Sequence, residues 1–202
     1  MAWNPAVYNK FKQERATPFF DLLALVKPAN NMRVIDLGCG TGELTSILSQ
    51  NLPGAMVKGI DSSAEMLEKM SNLQHDHLSF ELLSIQDQLN KKEKWDLVFS
   101  NAALQWVNDH EKLFPQLISQ VNAGGQIAVQ MPAQSHNLTN ILLNELADES
   151  PFRESLQEFK RSSPVLNSER YAAILFENGA AEITVLEKIY PLILPDVDSL
   201  YS

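Results

Sequence analysis

The sequence predicts an α/β fold: a doubly wound, mostly parallel sheet with helices on both faces. Three observations predict it. A β-branched and apolar run, Arg33 to Leu37, bends through Gly38, Gly40 and Gly42 and continues into Leu44, Ile47 and Leu48 at helical spacing, which is a strand, a glycine turn and a helix. Short apolar runs then alternate with helically periodic stretches, the pattern of parallel strands joined by helical crossovers. Polar or acidic residues stand near the ends of those runs, at Asp36, Asp61, Ser84, Asn101 and Gln130, and a sheet of this kind binds ligands at the carboxyl ends of its strands.

Taken in order, residues 1–27 read as an N-terminal helical lid. Pro5 suits a first helical turn, and Tyr8, Phe11 and Phe19 fall on a helical face. Trp3 and Tyr8 each have an apolar body and a polar tip, so they can close over a ligand or pack on the domain. The helix continues from Asp21 to Lys27, and Asn30-Asn31 is a turn. After the first strand and helix, Pro53-Gly54 makes a break. Ala55 to Ile60 is the second strand, ending at Asp61, and Ser62 or Ser63 caps the periodic segment opened by Glu65 and Met66. Leu78 to Leu83 is the third strand, and Lys91 to Lys94 is a solvated charged loop. Trp95 to Ser100 is the fourth, running into Asn101 through Trp106. Asp109 caps a helix through Val121 that Gly124-Gly125 stops, and His110 in its first turn reads as a surface or capping residue. Gln126 to Met131 is the fifth strand, and Ile141 to Glu149 a helix. Residues 133–166 form an insertion or cap segment, Ser168 to Asn178 a helix capped by Gly179, and Ala181 to Leu194 a sixth, β-rich stretch. Residues 1–202 make one domain.

Composition narrows the function. A hydrophobic content of 45% with 20% charged residues is that of a globular protein, and a net charge of −9 argues against a nucleic-acid or anionic-membrane partner. No apolar run reaches the ~20 residues that cross a bilayer, and Met-Ala-Trp-Asn-Pro does not open a signal peptide. Cys39 is the single cysteine, so no internal disulfide forms, and a reducing cytoplasm is the default compartment. No His, Cys and carboxylate cluster has metal-ligand spacing, so no metal is expected.

The glycine turn carries the chemistry. A dinucleotide site spaces its glycines G-x-G-x-x-G, whereas here Glu43 stands where the third glycine belongs. A carboxylate at a helix start repels phosphate and suits a cation, and Asp36 adds a second negative charge beside the turn. S-adenosyl-L-methionine, with a sulfonium, an amino group and no phosphate, fits this better than a nicotinamide dinucleotide. Asp61, about 20 residues past the turn, is placed to accept from both ribose hydroxyls. Gly38, Cys39, Gly40 and Gly42 of the turn, with Ser62, Met66 and Asn101, complete the cofactor-binding set read from these residues.

The run Asp36-Leu37-Gly38-Cys39-Gly40-Thr41-Gly42, followed by Gly59-Ile60-Asp61-Ser62-Ser63, resembles the class I S-adenosylmethionine-dependent methyltransferases, which are Rossmann-like. A closer resemblance is to the trans-aconitate 2-methyltransferases. It rests on Trp3-Asn4-Pro5 with Tyr8, Glu14-Arg15, Asn101 through Trp106, Asp109-His110, Leu113-Phe114-Pro115 and Ala128 through Pro132. The resemblance implies methylation of a carboxylate of a small acid, with Trp3, Tyr8, Arg15, Gln105, Trp106 and Gln130 as candidates to position it. Similar enzymes have an Asp after the third strand for the adenine amino group; here Ser84 stands there, with the Ile85 backbone N–H left to meet the ring. The family continues past a sixth strand with a helical cap segment and a seventh, antiparallel strand. An ending at Ser202 therefore implies a sheet without its final strand and part of the cap, and an exposed edge open to self-association. Another small or carrier-bound carboxylate as acceptor, and a non-catalytic cofactor-binding module, remain as alternatives.

Overall fold

The computed structural model describes residues 12–70, 72–133, 137–157 and 163–191, with the side chains of 12–15, 67 and 69 outside that description. A first helix α1, Lys12–Leu25, leads into β1, Arg33–Leu37. There follow α2 (Glu43–Asn51), β2 (Met56–Asp61), α3 (Ala64–Met70), β3 (Leu78–Leu82), α4 (Ile85–Leu89) and β4 (Trp95–Asn101). A 3₁₀ turn, Leu104–Trp106, precedes α5 (His110–Ser119), β5 (Val121–Gln130), α6 (Leu138–Ala147), the short α7 (Phe152–Ser155) and α8 (Ser168–Glu177). The sheet order is β3-β2-β1-β4-β5, every pairing parallel.

β1 shows why the central strands are apolar throughout. Val34 packs with Phe19, Leu22 and Leu48 of α1 and α2 on one face, while Ile35 and Leu37 pack with Leu113, Leu117 and Ile174 of α5 and α8 on the other. Period-2 alternation sends neighbours to opposite faces, and helices cover both. Val34, Ile35 and Leu37 are each fully buried.

Two sequence expectations need correction. Gly124-Gly125 does not stop a helix through Val121. The helix ends at Ser119, and β5 has already begun at Val121. The glycine pair sits instead in an irregularity of β5, where Trp95 pairs with Val121 but Leu97 with Gln126. An added Cβ on Gly125 would lie 2.9 Å from the Asp96 carbonyl oxygen, so a bulge in contact with the next strand explains the residue type. The β-rich stretch from Ala181 is the second correction: residues 181–191 belong to no strand. Ile183 and Val185 are half-buried between exposed neighbours, as period 2 requires, yet the segment is tied by side chains to α1 and the residues after it. Lys188 Nζ lies 2.5 Å and Tyr190 Oη 2.7 Å from the Asp21 carboxylate, and Lys27 pairs with Glu182. Alternation makes a stretch able to be a strand; a partner edge makes it one. Among the described residues β5 is bonded to β4 alone.

Candidate functional site

The three glycines of the turn all have positive φ but do different work. A Cβ on Gly38 would lie 2.3 Å from the Ala103 Cβ, and one on Gly42 would lie 2.7 Å from the Phe80 ring. Those two positions are small because protein packs against them. Gly40, at φ +56, has nothing within 4 Å of its Cβ direction and is the position of the turn that faces open space. Its N–H donates to Asp61 Oδ2 at 2.9 Å, and Asp61 Oδ1 accepts from Ser63 N at 2.9 Å. Asp61 therefore pins the turn to β2, and each of its oxygens keeps a lone pair for another donor. Ser63, whose Oγ accepts from Met66 N at 3.4 Å, is the serine that caps α3; Ser62 is exposed beside it.

Asp36 lies beneath the turn. It is 4% exposed and accepts from the Thr45 hydroxyl at 2.6 Å. Burial pushes its carboxyl up to about 6, with the nearby Asp61 charge adding to the rise and the Thr45 bond opposing it. Cys39 is buried, its sulfur 3.8 Å from that of Met70, and burial together with the charges of Asp36 and Asp61 pushes its thiol far above the usual range. It is a packing residue, not a reactive thiolate. Glu43 is exposed as the first residue of α2, where a carboxylate favours the positive end of the helix.

Gly38, Cys39, Gly40, Met66, Asn101 and Gln130 line one cavity of about 2270 Å³. That is more than a small ligand needs, because the cavity continues along β5, bonded among the described residues to β4 alone, to residues 180–190. Asn101 and Gln130 end β4 and β5 in register, and Ala102 N donates to Gln130 O at 3.0 Å. Ala102 holds φ +53, a left-handed conformation that a non-glycine residue keeps only where its surroundings enforce it. Gln105 Nε2 donates to the Ala102 carbonyl at 2.7 Å, leaving its own carbonyl oxygen buried and without a partner. The side-chain oxygens of Asn101 and Gln130 are buried without partners as well. Two acceptors at the carboxyl ends of adjacent strands, and a third in the turn that follows β4, thus lack, among the described residues, the donors that buried oxygens ordinarily have. Trp106 is 74% exposed at the end of the same turn. Ser84 and Ile85 follow β3 further along that sheet edge. Trp3 and Tyr8 lie outside the described residues, as does the side chain of Arg15 on α1.

A family model described as a methyltransferase domain matches residues 28–179. A trans-aconitate 2-methyltransferase of Deinococcus radiodurans is 43% identical over 206 residues, spanning 99% of this chain and 78% of its own. Another, of Variovorax paradoxus, is 36% identical over 93% of this chain and 72% of its own. The chain belongs to the trans-aconitate 2-methyltransferase family. Among solved structures, phosphoethanolamine N-methyltransferase 2 of Haemonchus contortus, in complex with S-adenosyl-L-methionine, superposes with a TM-score of 0.58 at 21% identity over 80% of this chain and 36% of that one. At that identity the likeness shows the class I methyltransferase fold.

Family membership gives the departure at Ser84 a local meaning. Ser84 caps α4, accepting from Asp87 N at 3.1 Å and donating to the Asp87 carboxylate at 2.6 Å. The carboxylate absent from position 84 is present three residues on, held against the Ser84 hydroxyl. Sequence reading missed Asp87, Thr45 and Ala102. Asp87 was findable as the Asp of a Ser-x-x-Asp cap, three positions after Ser84, whereas nothing local marks Thr45 or the φ of Ala102. His110 is corrected outright: it is 1% exposed and packs against both Phe114 and Tyr171. Among the described residues no helix is long and apolar enough to cross a membrane, and no group of His, Cys, Asp or Glu could hold a metal ion.

Proposed function

We propose that the chain transfers a methyl group from S-adenosyl-L-methionine to a carboxylate of a small organic acid of the trans-aconitate type, in the cytoplasm. The observation that carries the reading is the meeting of two half-sites on one cavity. One is the open face of the glycine turn at Gly40; the other is the pair of unpartnered amides of Asn101 and Gln130, with Gln105 behind them on the Ala102 carbonyl. The residues fit a cationic cofactor: Glu43 replaces the phosphate-binding space, and Asp61 retains lone pairs for a ribose diol. Asp36, Gly38, Cys39, Gly42, Ser62, Met66, Ser84 and Ile85 complete the cofactor side, with Asp36 acting through the turn from beneath.

When bound, S-adenosyl-L-methionine supplies a methyl group on a positively charged sulfur, and a carboxylate oxygen accepting it has no proton to lose. The chain needs no catalytic base. Its residues must orient the acid, hold it close and keep water out, since opposite charges vanish as the bond forms and a dry site favours that. The Gln105 amide is fixed by Ala102 and offers an acceptor, whereas the Asn101 and Gln130 amides, turned end for end, offer N–H donors to a carboxylate. Residues 1–27, with Trp3, Tyr8 and Arg15, act as the lid, residues 133–166 as a cap, and Trp106 as part of the acceptor wall. The free edge of β5 gives the chain a route to self-association.

Calorimetry with S-adenosyl-L-methionine and its demethylated product tests the cofactor half. Mass detection of methyl esters across a panel of di- and tricarboxylic acids, trans-aconitate included, tests the acceptor half. Binding with ester formation is expected. Binding without transfer to any acid leaves a cofactor-binding module, and no binding of either ligand defeats the reading.

A further inference from the structure

His110 is a fully buried imidazole whose two ring nitrogens both reach backbone groups of other segments, one directly and one through a tyrosine. Nε2 lies 3.0 Å from the Leu104 carbonyl oxygen, which can only accept, so Nε2 carries the proton. Nδ1 lies 2.5 Å from the Tyr171 hydroxyl, and that hydroxyl accepts from Leu166 N at 3.0 Å. One assignment satisfies every group: Leu166 N–H to Tyr171 oxygen, Tyr171 O–H to Nδ1, and Nε2–H to Leu104 oxygen. Burial pushes the Tyr171 phenol up to about 12, so it keeps the proton this chain requires.

The two ends of the chain of bonds both adjoin the cavity. Leu104 opens the 3₁₀ turn that carries Gln105 and Trp106 and follows Asn101 and the strained Ala102, which line the cavity. Leu166, with Val165, lines it as well, just before α8. Apolar packing does not need an imidazole here, because Phe114 already packs on Tyr171, ring centroids 4.7 Å apart. A buried polar group contributes little to stability and much to geometry when all its bonds are made.

We propose that His110 is a positioning residue for acceptor binding: through one imidazole it locks the turn Leu104–Trp106 to the segment 163–166, so that these two borders of the acceptor pocket hold one spacing. The proposal rests on reading Gln105 and Trp106 as acceptor-facing. The turn itself needs no such reading, and the two are tested separately.

The variants exploit amide mimicry. In His110→Gln the side-chain N–H reaches where Nε2–H did and keeps the Leu104 bond; in His110→Asn the oxygen replaces Nδ1 and keeps the Tyr171 bond, but the Leu104 carbonyl loses its donor. The readouts on the full chain are the Trp106 indole resonance (assigned with Trp106→Phe), the Leu166 amide exchange rate, product affinity by calorimetry, and KM for the acid. Gln loses the Tyr171 bond and Asn the Leu104 bond, so either variant cuts the tether, and we expect both to move the Trp106 resonance and raise the acid KM about tenfold with kcat and cofactor-product affinity nearly unchanged. Tyr171→Phe, which leaves the apolar packing intact, should speed Leu166 exchange and move Trp106 together. An unmoved Trp106 resonance and an unchanged acid KM in both His110 variants, or faster Leu166 exchange with Trp106 unmoved in Tyr171→Phe, overturn the proposal. Should the wild type methylate no acid, the acceptor reading fails, while the Trp106 and Leu166 measurements still decide whether the tether exists.

Discussion

Replacing Asp36 by Asn should remove a pH dependence of stability that can be sized from the structure. Asp36 is 4% exposed, and burial raises its carboxyl from the ordinary 3.8 to about 6. The folded state therefore binds this proton more tightly than the unfolded chain does. Stability attributable to Asp36 is greatest below pH 4, declines as pH rises toward 6, and is level above that. A shift of just over two units corresponds to about 3 kcal/mol across the window. Because the group is buried, solvent screening does not reduce that figure appreciably. Other carboxylates pull the opposite way: Asp21, Glu81, Asp96, Asp109, Glu111 and Glu182 are held below their usual range by hydrogen-bonded partners and lose stability on acidification. The raw pH profile mixes both signs, so the quantity to measure is the difference between wild type and Asp36→Asn. Asn keeps an oxygen for the Thr45 hydroxyl, and whatever its second group costs is constant with pH. Urea unfolding of both proteins at pH 4, 5, 6 and 7 should show the variant gaining on wild type by about 2.4 kcal/mol from the lowest pH to the highest, the rest of the effect lying below pH 4. A difference flat to within about 0.5 kcal/mol would mean that Asp36 is not held protonated, and that the turn rests on an ionised carboxylate.

Four further outcomes follow from the geometry. Gly38→Ala, with an Ala103 carbon 2.3 Å from the new Cβ, should lower the urea midpoint sharply, whereas Gly40→Ala should fold with a cost of about 1 kcal/mol and lose cofactor-product affinity; equal losses of stability would show that the two glycines are not distinguished by packing. Asp61→Ala should weaken calorimetric binding of the cofactor product by about 1.5–3 kcal/mol and also lower stability, because Gly40 and Ser63 lose their acceptor; unchanged affinity would confine Asp61 to the pin. Gln130→Met removes an unpartnered buried oxygen at nearly constant volume, so the melting temperature should hold or rise while the acid KM increases about tenfold; a fall in melting temperature with KM unchanged would make Gln130 structural. Sedimentation across a concentration series should show mass above the monomer, driven by the β5 edge, and a monomer at all concentrations would remove that route.

Much of the fold was legible because its signals are local and repeat. Arg33–Leu37 is apolar on both faces, three glycines punctuate the turn, and Asp61 follows a strand of the expected length. Each of these needs only its neighbours to be read. What the sequence could not disclose depends on a partner far along the chain. Gly124-Gly125 reads as a helix stop because the Asp96 carbonyl that demands a small residue is nearly thirty positions away. Residues 181–191 alternate like a strand, and only the location of Asp21 and Lys27 reveals that they run along α1 instead.

The candidate site divides along the same line. Its cofactor half is a motif, so the residues were named in advance. Yet the glycines that look equivalent in the motif are not equivalent in space, since two are required by Ala103 and Phe80 and only Gly40 opens outward. Its acceptor half is built from amides, and an amide carries no charge, no perturbed proton and no fixed spacing to betray it. Asn101, Gln105 and Gln130 become informative only when their oxygens are found buried and unpartnered at neighbouring strand ends and in the turn that follows β4. His110 is the extreme case. In sequence it is the first residue of an amphipathic helix; in the fold it joins Leu104, through Tyr171, to Leu166 beside the cavity. A reaction that needs orientation and no base leaves its mark in such hydrogen-bond geometry, so the residues that matter most for specificity are the ones a sequence motif describes least.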